Sequence, residues 1–191
     1  MHARIDKPLL RVSDKPMIQH VIDALKRTEL VNRIIVAVTP DTRHTAEIVR
    51  DLGVDVTETA GEGYEQDMKQ AIKTLGLEDV VIVAADLPFL TPTIINEAAQ
   101  KYLSSDKPAL MVAAPIELYE KFGMKASYTF NYKGQQVAPV GLNVIDGTRV
   151  DEERLDETVL VVRDENMVFN VNTQIDLDLA RNRGRGPYDE N

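Results

Sequence analysis

An apolar run that ends in an aspartate is the pattern with the most chemical promise: Val80-Val81-Ile82-Val83-Ala84-Ala85-Asp86-Leu87-Pro88. A strand covered on both faces reads as a continuous apolar stretch, and in open α/β sheets ligands sit beyond the carboxyl ends of such strands. A carboxylate at that point can hold a hard divalent cation, which in turn holds nucleotide phosphates. The plainer reading of Asp86 is a turn residue or a helix cap. Thr91, followed by Pro92, already suits the cap of the next helix, since a hydroxyl at the N-cap and a proline just inside it satisfy a helix start.

Three other segments carry residues of interest. Thr59-Ala60-Gly61-Glu62-Gly63-Tyr64 places two glycines ahead of a helical stretch containing Asp67. Glycines there let a backbone approach a ligand closely, and the first amides of a helix can bind polar groups; an ordinary strand-to-helix turn needs the same residues. Ala138-Pro139-Val140-Gly141-Leu142-Asn143-Val144 puts a glycine and an asparagine inside a strand, which marks either a bulge or a close ligand approach. Phe169-Asn170-Val171-Asn172-Thr173 precedes the last helix. As a strand it would turn Asn170 and Asn172 to one side, one of them capping the helix and the other offering a carbonyl oxygen to a cation.

Several chemistries are set aside. There is no cysteine, so disulfides, thiolate metal sites and cysteine nucleophiles are excluded, which suits a reducing, cytoplasmic setting. His2, His20 and His44 show no paired metal spacing, and neither a complete P-loop nor a nucleophile elbow is present. The net charge of −9 repels a phosphate backbone, which argues against non-specific nucleic-acid binding. No segment approaches the length of a membrane span, and the first residues lack the apolar core of a signal peptide.

The elements that must position these residues alternate. Apolar runs at 34–38, 80–85 and 110–114 read as buried strands, and 16–27, 41–52, 65–75 and 91–103 read as amphipathic helices. This predicts an α/β fold: a three-layer, Rossmann-like, mostly parallel sheet with helices on both faces. In the last third, strands are expected at 127–132, 140–145, 158–162 and 167–170 as antiparallel additions, followed by a helix over 174–180. Residues 1–182 are expected to form one domain and 183–191 a flexible tail.

In order and together, Lys7-Pro8-Leu9-Leu10, the Gly61–Gly63 block, Ala84-Ala85-Asp86-Leu87, the Gly141–Asn143 block and Asn170-Val171-Asn172-Thr173 resemble the MobA-like nucleotidyltransferases. Within them the chain is most similar to the archaeal adenosylcobinamide-phosphate guanylyltransferases, over about residues 6–180. The Gly-x-Gly-Tyr and Pro-x-Gly-x-Asn-Val blocks favour that branch, whereas Asp86 and Asn-x-Asn-Thr belong to the wider superfamily. The resemblance implies the fold of nucleotide-diphospho-sugar transferases. It also implies transfer of GMP from GTP to a corrinoid phosphate with Mg²⁺, in cobalamin biosynthesis. It gives Lys7 the triphosphate and Asp86 the metal, with Asn172 as a second ligand. Gly61 and Gly63 would line the guanosine pocket, and Gly141 and Asn143 would face nucleotide or acceptor.

Other acceptors stay open, molybdenum cofactor or a sugar phosphate among them, as does a non-catalytic protein of the same fold. So does the oligomeric state, a homodimer included. The family opens with a strand and a loop resembling Leu-x-Ala-Gly-Gly-x-Gly-Thr-Arg-Met, and Met1 stands where that motif's methionine falls. The resemblance therefore implies that the chain as written holds the metal and acceptor sides of the site without the phosphate cradle, through a late start, a truncation or a real shortening.

Overall fold

The computed structural model describes residues 6–184; the expectations for Met1 and for residues 185–191 lie outside them. Lys7–Leu9 form a 3-10 turn, and a short hairpin of β1 (Arg11–Val12) and β2 (Lys15–Pro16) leads into α1 (Met17–Lys26). Then follow β3 (Ile35–Val38), α2 (Arg43–Asp51), β4 (Asp55–Glu58), α3 (Tyr64–Leu75), β5 (Asp79–Val83) and α4 (Pro92–Leu103). The remainder is β6 (Ala109–Pro115), α5 (Ile116–Phe122), β7 (Phe130–Tyr132), β8 (Gln135–Asp146), β9 (Glu157–Val161) and α6 (Gln174–Gly184).

β3 and β4 pair in parallel, and β5, β8, β6 and β9 form one sheet in that order, with β7 hydrogen-bonded to β8. β8 runs antiparallel to both β5 and β6, while β9 runs parallel to β6. The strands that alternate with helices, β5, β6 and β9, thus share one direction, as a layered α/β fold requires. The late strand β8 inserts between β5 and β6, so most of the pairings in this sheet are antiparallel.

One face of the sheet carries Val140, Leu142 and Val144 of β8 with Leu110 and Val112 of β6. It packs on Met17 and Val21 of α1, Ile95 and Ala98 of α4 and Leu177 of α6. The other face carries Val80, Ile82, Ala109 and Ile145 under Met68 and Ile72 of α3. Alternate residues of each strand point to opposite faces, and these two apolar sets require helices on both sides. A smaller core joins Ile18 and Ile22 of α1 to Val49 of α2 and Val36 and Val56 of the β3–β4 pair.

Two local expectations are corrected, and two elements are new. Residues 167–170 are not a strand: Asp164 accepts the Asn166 N–H at 2.9 Å and caps a 3-10 turn, Glu165–Val168. Met167, Val168 and Phe169 are buried consecutively rather than alternately, as a turn inside the core demands. The last helix carries Arg183 and Gly184, so its turns extend past residue 182 into the expected tail. Strand β4 and helix α5 had no counterpart in the sequence reading.

Candidate active site

Asp86 lies just beyond β5, whose Val80–Val83 run is bonded along β8. The ladder continues one step, as Ala84 N–H donates to the Gly141 carbonyl at 2.8 Å. The chain then turns under Leu87, 2% exposed, and enters α4, where Thr91 Oγ accepts the Ile94 N–H. Thr91 is therefore the cap, and Asp86 is free for another role. The Asp86 carbonyl accepts the Val171 N–H at 3.1 Å, which brings the segment holding Asn170 and Asn172 alongside it.

Lys7 reaches the same point from the other end of the chain. Its Nζ donates to Asp86 Oδ2 at 2.5 Å and to Asn172 Oδ1 at 2.9 Å, across separations of 79 and 165 residues. Asp6 anchors its turn. The Asp6 carboxylate accepts the Thr45 N–H at 2.9 Å and the Thr45 hydroxyl at 3.0 Å, with His44 Nδ1 at 3.6 Å. Burial pushes the Asp6 carboxyl up, but the Thr45 amide and hydroxyl together with His44 outweigh it and hold it below the usual carboxylate value.

Asn172 is oriented from behind. Its Nδ2 donates to Asn170 Oδ1 at 2.9 Å, and its backbone N–H donates to Asp176 Oδ2 at 3.0 Å. Neither asparagine caps α6. Thr173 does, its hydroxyl accepting the Asp176 N–H while Asp176 accepts the Thr173 N–H, a reciprocal arrangement that satisfies donors a helix start leaves unpaired. Gly141 has a packing task. At φ +87° it bulges β8, and a side chain there would come within 3.0 Å of Ala84 Cβ and 3.4 Å of Asn170 Nδ2. Its small size lets β8 approach Ala84 and Asn170 this closely.

The structure brings together Lys7, Asp86 and Asn172, with Asn170 and Gly141 as their support. It does not bring Asn143 into that cluster: Asn143 stands opposite Ile82 and Met111, four residues before the Asp86 position along the β5 direction. Gly61 and Gly63 sit in the loop after β4, with Gly61 against Thr39 and Pro40. The loop amides expected to meet a ligand are already engaged. Gly61 N–H and Glu62 N–H donate to Asp67 Oδ1 at 2.8 and 3.3 Å, and Gly63 N–H to Asp67 Oδ2 at 3.2 Å. Desolvation raises the Asp67 carboxyl, and those three amides with the Thr59 hydroxyl more than reverse it, lowering it overall.

A cavity of about 330 Å³ opens beside this loop at the carboxyl ends of β3 and β4, lined by Thr39, Pro40, Arg43, Arg50, Glu58 and Thr59. Another, of about 270 Å³ and lined by Tyr102, Lys107, Asp146 and Arg149, lies at the opposite end of the sheet from Asp86. Tyr64, quoted in the Gly61–Gly63 block but given no role there, follows that loop. It opens α3 with 64% of its surface exposed. Partial desolvation and then the Asp86 charge raise its phenol. In the sequence it was marked only as the last residue of the Gly-x-Gly-Tyr block.

The donor set suits a hard cation. Asp86 Oδ2 and Asn172 Oδ1 converge on one cationic atom, and Asp86 Oδ1 is buried without a hydrogen-bond partner among the described residues. No group of three or more acidic or histidine side chains gathers among those residues. A cation here would complete its shell with substrate oxygens, the usual habit of Mg²⁺ at phosphate sites.

Residues 1–131 match the MobA-like NTP transferase domain. The chain belongs to that family. A relative within reach of it along most of its length is the adenosylcobinamide-phosphate guanylyltransferase of Methanocaldococcus jannaschii, 30% identical over 92% of this chain and 87% of the relative. A probable molybdenum cofactor guanylyltransferase of Thermococcus kodakarensis is 32% identical over 54% of this chain and 49% of its own length. Among solved structures, CMP:2-keto-3-deoxy-manno-octonic acid synthetase complexed with CTP superposes with a TM-score of 0.74 at 15% identity. The match covers 93% of this chain and 90% of that one. At that identity the likeness speaks for the fold alone. As a MobA-like transferase the chain is a nucleotidyltransferase, and no helix among the described residues is long and apolar enough to cross a membrane.

Proposed function

We propose that this chain transfers GMP from GTP to adenosylcobinamide phosphate, giving adenosylcobinamide-GDP and pyrophosphate. The observation that carries the reaction type is the convergence of Lys7, Asp86 and Asn172 at the carboxyl end of β5. The acceptor is supported by the M. jannaschii relative, which is similar along 92% of this chain, where the molybdenum-cofactor relative spans about half.

In this reading an oxygen of the acceptor phosphate forms a bond to the α-phosphorus of GTP. The bond from that phosphorus to the β-phosphate bridging oxygen breaks, its electron pair leaving with pyrophosphate. Such a step depends on alignment and charge neutralisation, with no covalent enzyme intermediate. Asp86 and Asn172 would hold Mg²⁺, which when bound supplies positive charge against the phosphate oxygens. Lys7 would neutralise the triphosphate. Gly61 and Gly63 shape the wall beside the cavity at Thr39 and Pro40, which in this reading takes the guanosine. Asn143 lies on a partly exposed sheet face with Met111 and Val159, neither packed in the cores, and this face offers the acceptor an apolar bed with one polar group.

The test is turnover of α-labelled GTP with Mg²⁺ and adenosylcobinamide phosphate, molybdopterin or a sugar phosphate as acceptor. Labelled adenosylcobinamide-GDP is the expected product, and Asp86→Ala and Lys7→Ala should each lower the rate by about 10²–10³, as for other removed transition-state charges. Product from molybdopterin alone would reassign the acceptor. No product from any acceptor, with no binding of GTP, would leave a non-catalytic member of the family.

A further inference from the structure

The Lys7 ammonium stands where a divalent cation would have to sit. Its two partners, Asp86 Oδ2 at 2.5 Å and Asn172 Oδ1 at 2.9 Å, are the same two oxygens that suit a cation. The second Asp86 oxygen is buried and has no hydrogen-bond partner among the described residues, so this carboxylate has more acceptor capacity than Lys7 uses. The Asn172 amide is fixed through its nitrogen to Asn170, which keeps its oxygen pointed at Lys7. Among the described residues, Lys7 is held at its base by Asp6 and the 3-10 turn and at its tip by Asp86 and Asn172. Its side chain is 43% exposed, against 16% for Asp86, so it has solvent to swing into.

We propose that Lys7 is an exchangeable counter-ion. In the nucleotide-free protein it occupies the cation position on Asp86 and Asn172 and keeps free divalent ions off. It moves to the phosphates when a nucleotide arrives with its metal. The inference rests on the nucleotidyltransferase reading of this site. Two cations cannot share Asp86 Oδ2 at bonding distance, because like charges a few ångströms apart repel strongly where water is scarce. A triphosphate brings several negative charges within reach of the flexible lysine stem, so the ammonium exchanges one anionic partner for another rather than being left bare. Metal and nucleotide are then coupled through Lys7, each raising the other's affinity by the same factor.

Mn²⁺ is a suitable probe, titrated without nucleotide by calorimetry and by its electron-spin resonance signal. Lys7→Met is expected to bind Mn²⁺ about tenfold more tightly than the natural protein, the effect of losing one competing charge-assisted hydrogen bond. Lys7→Arg, which keeps the charge, should bind as weakly as the natural protein. The gain should vanish in Lys7→Met/Asp86→Asn. Added Mn²⁺ should raise the melting temperature of Lys7→Met more than that of the natural protein, and the double variant should lose this extra rise. Equal Mn²⁺ affinity in the natural protein and Lys7→Met overturns the proposal, and so does a gain that survives Asp86→Asn. Because no nucleotide is present, a protein that proved unable to use GTP would still give a readable answer here. Conversely, turnover with GTP could be normal while this exchange failed.

Discussion

Asp6 shows how a single buried side chain can place another that does the chemistry. Its carboxylate holds Thr45 at the start of α2, and Lys7 follows it in the chain. The sign of its effect on stability follows from its lowered pKa. A carboxyl whose folded value lies below its unfolded value stabilises the fold above the unfolded value, and that stability is lost as pH falls through the folded one. Asp6→Asn is therefore expected to lower the denaturation midpoint at pH 7, with the gap to the natural protein closing as pH drops below about 3.8. Denaturant titrations at pH 7, 5, 4 and 3 would show it. A gap that stayed constant over that range would mean that Asp6 acts by shape and not by charge.

At the scale of elements, the loop between β4 and α3 is organised from inside by its own helix. Asp67, in the first turn of α3, collects three loop amides. Gly61 and Gly63, both at positive φ, allow the chain to wrap around that carboxylate where a side chain would be strained. The loop is thereby a preformed wall rather than an open set of donors. Asp67→Ala should release it, raising KM for the nucleotide several-fold with a smaller change in kcat, the signature of lost uniform binding. Steady-state kinetics at saturating acceptor would measure it. An unchanged KM would place the nucleotide elsewhere than against this loop.

For the whole molecule, α1 is the joint. Met17, Val21 and Ala24 enter the large core, while Ile18 and Ile22 enter the small one under β3 and β4. Ile22, 1% exposed, has no room to be lost quietly. Ile22→Ala should destabilise by about 2–5 kcal/mol through lost burial and the cavity left behind. Hydrogen exchange should show β3 and β4 losing protection ahead of β6 and β8, since local openings follow packing units. Uniform loss across both groups of strands would mean that the two cores open as one.

The sequence alone determined what local physics dictates. The apolar run before Asp86 had to be a covered strand, Thr91-Pro92 had to start a helix, and Asp86 was left at a strand end with no capping duty. These follow from periodicity and from sterics acting over a few residues. Its misses were also local in cause. β4, Asp55–Glu58, is acidic at both ends and lacks an apolar run; α5 is seven residues squeezed between Pro115 and Gly123. Residues 167–170 looked like a strand because apolar content does not distinguish a buried turn from a buried ladder. Only the tertiary structure decided that β8 enters between β5 and β6, that Gly141 serves close packing, and that Asp67 consumes the loop amides. It also brought Lys7 and Asn172 to Asp86, a grouping that the family resemblance implied and no local pattern did. Contacts spanning 79 and 165 residues leave no periodic trace, because they are chosen by how whole layers pack and not by the preferences of neighbouring residues.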